Sequence, residues 1–168
     1  MDREFVDRYS SYEPRPLDFD FFEALESGYE PHIRAAVAAG EDLENIVYGG
    51  ALNVVAWRGW SKELCHFLID NGAKYNAVCQ RSGRTPLHGF ARQGWCDFIE
   101  QSIIEGCPIN QLDTRSCKTA LGLARCSGHA AAVELLLRHG ADPCVAMDDK
   151  HTTIAREIPE FLKPKPKT

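Results

Sequence analysis

The sequence predicts an all-α fold, a solenoid of stacked helix-turn-helix pairs with hairpin-like finger loops between them. Three observations predict it. Gly28, Gly59, Gly94 and Gly128 each precede an aromatic or a histidine, at Tyr29, Trp60, Trp95 and His129. A second series, Gly40, Gly72, Gly106 and Gly140, follows the first by twelve or thirteen residues. Between the two series run short apolar stripes at helical spacing, such as Leu64, Phe67 and Leu68. Both series recur near the roughly 33-residue period of a two-helix repeat, and such repeats stack side by side instead of closing around one core.

Each element follows in order. Asp18 to Ser27 and Pro31 to Ala39 form a degenerate first pair with no Thr-Pro start. Gly50-Ala51-Leu52-Asn53 opens the second pair, whose second helix carries Leu64, Phe67 and Leu68. Thr85-Pro86-Leu87-His88 opens the third, with Pro86 in the first turn, where its missing donor costs nothing. The stripe Phe98, Ile99, Ile103 follows it. Thr119 caps the fourth first helix, which runs to about Ser127. Its partner helix carries Val133, Leu135, Leu136 and Leu137. Small residues at Ala56, Ala91 and Ala124 let first helices stack closely. Ala73 to Arg84 and Cys107 to Lys118 project as fingers. Thr152 to Ile158 begins a fifth repeat that lacks a second helix and caps the stack.

The motifs Thr85-Pro86-Leu87-His88 and GHAAAVELLLRHGAD, at Gly128 to Asp142, closely resemble the ankyrin repeat family. The resemblance runs from about Asp18 to Glu157. It implies an ankyrin repeat domain over residues 18–158, of about four repeats and a partial fifth. Residues 1–17 form an N-terminal extension that either packs over Phe19, Phe21 and Phe22 as a cap or hangs loose. Residues 159–168 are a flexible tail rich in lysine and proline. The family also implies a structural role for His88, bonded to the backbone of the turn. Asn53, Gly122 and Ala155 hold that slot in the other repeats, which predicts looser turns there.

No apolar run approaches the ~20 residues needed to span a bilayer. The charged N-terminus, MDREFVDRYSS, is no secretory signal. The seven cysteines, an odd number, read as reduced thiols of a cytoplasmic or nuclear protein, with Cys79 and Cys117 the most exposed. No phosphate loop, HExxH helix or nucleophile elbow occurs, so no enzyme and no cofactor are expected. Cys126, His129, His139 and Cys144 mimic a zinc spacing. The two histidines, however, fall about 15 Å apart at opposite ends of one helix, too far for a tetrahedral site.

The net charge of −5 is unevenly spread. Residues 1–80 carry 7 basic and 14 acidic side chains, whereas residues 81–125 carry 6 and 4. In ankyrin-like proteins the partner meets the fingers and the exposed end of each first helix. Carried onto this chain, that surface is Trp57, Arg58, Arg81, Ser82, Arg84, Arg92, Gln93, Arg115 and Lys118. Asp97, Glu100 and Glu105 lie on the second helix, away from it. The expected function is binding of a protein or peptide partner on the concave face, with an acidic segment suited to the arginines. No small-molecule substrate or membrane is expected, and the chain acts as a monomer. The alternative is a polyanion or nucleic-acid binder using the same basic stripe, against which the overall acidity argues. Reversing Arg81 and Arg84 to Glu is expected to weaken binding and spare the fold.

Overall fold

The computed structural model describes residues 20–44, 49–143 and 145. These hold four helix pairs: α1 (Phe21–Ser27) with α2 (Glu30–Ala38), α3 (Ala51–Arg58) with α4 (Lys62–Asp70), α5 (Pro86–Gln93) with α6 (Cys96–Ile104), and α7 (Ala120–Cys126) with α8 (Ala130–Arg138). The extension at 1–17, the partial fifth repeat and the tail at 159–168 lie outside the described residues.

Local chemistry sets the helix starts. Asp20 accepts the Phe22 N–H at 3.1 Å, Ser61 accepts the Leu64 N–H at 2.9 Å, and Thr119 accepts the Gly122 N–H at 3.3 Å. At α5 the cap is reciprocal. The Thr85 side chain takes a backbone N–H of the first turn, and His88 Nδ1 accepts the Thr85 N–H at 3.1 Å. Gly94 ends α5 at φ 71°, the left-handed conformation that lets Trp95 N–H reach back to Phe90 O.

First helices stack in sequence, α1 on α3, α3 on α5 and α5 on α7, and α6 packs on α8 behind them. Ala56, Ala91 and Ala124 are fully buried along this row, as small residues at a close crossing must be. Gly89 brings α5 against the backbone of α3; a Cβ there would stand 2.5 Å from Ala56 C and 2.6 Å from Trp57 N. The second helices supply Leu64, Leu68, Phe98, Ile99 and Leu136 to the same continuous core. Phe90, Trp95 and Phe98 form an aromatic knot between α5 and α6, with Phe90 and Phe98 stacked at 4.8 Å.

The fingers contain no strand among the described residues, only an isolated bridge between Asp113 and Lys118. They are bonded to their neighbours. Asn53 Nδ2 donates to Arg84 O at 2.9 Å, and His88 Nε2 bonds Gln111 O at 3.0 Å. Each residue thus ties its helix start to the following finger. Asn53 makes the same tie to the following finger as the imidazole does. Cys79 is buried, not exposed: it lies against Gly49 and its N–H donates to Arg84 O at 2.7 Å. Cys117 is exposed.

Candidate partner-binding surface

Two guanidinium groups lie over the indole of Trp57, on the last turn of α3. Arg84 Cζ is 3.4 Å and Arg92 Cζ is 4.6 Å from the ring centroid. Arg92 also donates through Nη1 to Trp57 O at 3.1 Å. One arginine comes from the base of a finger and the other from the end of α5. The stack therefore joins two neighbouring repeats. Beside it lies a recess of about 40 Å³ lined by Asn53, Trp57, Ser82, Arg84 and Arg115. That space admits a few water-sized groups, well below the volume of a substrate pocket.

Arg84 is not a free cation. Its Nε and Nη2 donate to Asp113 Oδ2 at 3.1 and 2.8 Å, and the carboxylate is wholly buried. Burial by itself would raise the Asp113 carboxyl. The Arg84 hydrogen bonds, the Arg115 N–H, the Arg84 charge and the Ser116 hydroxyl outweigh it and hold the group below its ordinary value. The pair is a strut between two fingers. Reversing Arg84 would bury two carboxylates face to face, so the expected fold-sparing double reversal is not available at this position.

The other predicted residues divide by burial. Ser82 and Lys118 are buried. Ser82 O accepts the Thr114 N–H at 2.8 Å, and the Lys118 carbonyl accepts the Asp113 N–H at 2.9 Å. Gln93 packs its amide onto Gly59, where a Cβ would meet it at 2.5 Å. Arg58 is exposed and paired with Glu26 of α1. Arg81, Arg92 and Arg115 are exposed. Asp97 is engaged elsewhere: it pairs with Lys62 at 2.8 Å, joining α6 to α4.

His88 is occupied on both nitrogens. Because Nδ1 accepts the Thr85 N–H, the ring proton sits on Nε2 and is donated to Gln111 O. Burial, above all, pushes this imidazole down to about 4. Trp60 keeps a structural post. Its indole N–H donates to Leu25 O at 3.0 Å and its ring covers Gly28. His129 Nε2 donates to Arg92 O at 3.0 Å. Cys144, the last member of the zinc-like spacing, lies outside the described residues. Sequence reasoning missed Asp113 entirely; its only signal was an acid inside an otherwise basic finger.

Residues 52–147 match a model of ankyrin repeats in three copies, and the chain belongs to the ankyrin repeat family. Over 82 residues, 49% of this chain, it is 32% identical to the ankyrin repeat and KH domain-containing protein mask-1 of Caenorhabditis elegans. The match spans 3% of that protein's length. Among the described residues no helix is long and apolar enough to cross a membrane. Ankyrin repeats are in general protein–protein interaction modules, and that role fits a stack that leaves its fingers and first-helix ends exposed.

Proposed function

We propose that this chain is a non-catalytic, monomeric interaction module that holds an acidic segment of a protein partner against the first-helix ends and fingers around Trp57. The observation that carries this is the Trp57 indole beneath the Arg84 and Arg92 guanidiniums. Tryptophan and arginine are the residue types most often found to dominate interface energetics. The exposed Arg92, stacked on the ring, keeps in-plane donors for a carboxylate, whereas Arg84 gives its Nε and Nη2 to Asp113. Trp57, Arg58, Arg81, Arg92 and Arg115 form the contact set, and Ser82, Arg84, Gln93 and Lys118 support it from beneath. The recess beside Trp57, at about 40 Å³, is too small to enclose a substrate, which supports binding over catalysis.

A polyanion reading draws less support. It needs a continuous cationic stripe, but Arg84 is spent on Asp113 and Lys118 is buried. A reducing, cytoplasmic or nuclear setting is consistent with Cys65, whose thiol burial pushes up to about 12, and with five other free thiols among the described residues.

The test is affinity capture from the source cells with wild type and a Trp57→Ala/Arg92→Glu variant, followed by calorimetric titration of the recovered protein. A loss of at least tenfold in affinity, with circular dichroism unchanged, is the expected result. Equal affinity would overturn the proposal.

A further inference from the structure

The two central fingers repeat one surface pattern. The Cys79 N–H donates to Arg84 O at 2.7 Å, and the Asp113 N–H donates to Lys118 O at 2.9 Å, the same closure one repeat later. In each finger the residue just before that bond is an exposed aliphatic: Val78 at 43% and Leu112 at 37%. Three residues further on, each carries an exposed arginine, Arg81 and Arg115. Neither guanidinium meets an acidic partner among the described residues.

The fingers are also locked together. Thr114 donates to Ser82 O twice, from N–H at 2.8 Å and from Oγ1 at 3.3 Å. Arg81 and Arg115 each lie one residue from that junction, so two cations without an acidic partner among the described residues flank a fixed seam that has an aliphatic side chain on each finger. A preformed surface saves the ordering cost that a mobile loop would incur on binding.

We propose that this seam recognises a peptide segment in which acidic and aliphatic residues are interspersed, the carboxylates taken by Arg81 and Arg115 and the aliphatic groups by Val78 and Leu112. The inference rests on the protein-binding role proposed above and names the chemistry of its partner. A nucleic acid would pair with the arginines but would leave Val78 and Leu112 facing sugar and phosphate. Non-specific strand binding also uses aromatic platforms, and these two residues are aliphatic.

Three fluorescent peptides test it on the full chain by anisotropy: (Leu-Leu-Glu-Glu)3, the charge-matched (Ser-Ser-Glu-Glu)3, and (Leu-Leu-Lys-Lys)3. The first should bind at least tenfold more tightly than the second, and the third should not bind. Val78→Ser/Leu112→Ser should abolish the preference of the first over the second. Arg81→Ala/Arg115→Ala should weaken both acidic peptides at least tenfold, with circular dichroism unchanged in each variant. Equal binding of the two acidic peptides to wild type overturns the seam and leaves the acidic-partner proposal standing. Failure of both to bind also overturns the seam, while the Trp57→Ala/Arg92→Glu capture alone decides the wider role.

Discussion

Arg84 and Asp113, 29 residues apart in the chain, meet at 2.8 Å with the carboxylate fully shielded from solvent. Removing one member of such a pair leaves the other charged and unpaired, at a cost of about 3 kcal/mol or more. Arg84→Ala is therefore expected to lower unfolding free energy by that order in urea titrations, and Arg84→Glu by at least as much. Arg81→Glu, an exposed change, should cost under about 0.5 kcal/mol. Because the Asp113 carboxyl is held below its ordinary value, its stabilisation is present above the unfolded value. It is lost as pH falls through the lower folded one. Arg84→Ala should flatten that acid limb.

His88 predicts a second pH effect in a different window. Its folded value near 4 lies below the ordinary 6.5, so the unfolded chain binds more protons between these limits. Stability should rise from pH 4 to about pH 6.5 by on the order of 3 kcal/mol from this group. Urea midpoints across that range check it. His88→Asn should be less stable at pH 7 and should lose most of the slope.

Gly89 sits in a helix, where alanine is intrinsically better by about 1 kcal/mol. The contact with α3 reverses that preference, because a methyl would press on backbone atoms that cannot rotate away. Gly89→Ala should destabilise by about 1–3 kcal/mol and lower the thermal midpoint. A higher midpoint would mean that the α3–α5 approach is looser than described.

Gly83 and Cys117 occupy the same finger slot, at φ 69° and 54°. The second is a strained conformation for a side chain. Cys117→Gly should stabilise the chain by about 1 kcal/mol, measured by denaturant titration under reducing conditions. Gly83→Ala should do the opposite, because its Cβ would meet Leu112 O at 2.6 Å.

The helix pairs were legible because their signals are local. The cap at Thr119, the proline at Pro86 and the apolar stripe of α8 each act within a turn or two. His88 was legible for the same reason, through Thr85 three residues away. The candidate surface was read less well. Arg84 has the composition of a contact residue, and only the approach of the next finger turns it into a strut. Cys79 looks exposed in a loop and is buried where Gly49 packs on it, and Lys118 is buried as well. Gly89 looks like a weak helix residue until α3 arrives against it. These contacts join positions about one repeat apart, a separation that no short pattern encodes.

Trp60 shows what that spacing means for the molecule under stress. Its indole clasps Leu25 O, one module back, just as His129 clasps Arg92 O. The second unit is thus fastened to the first and the fourth to the third, while Arg92 and Gln93 fasten the third to Trp57 O of the second, like slates on a roof. Heat or force should peel such an array from its margins inward, leaving the middle courses, and the tryptophan–arginine stack they carry, among the last to lift.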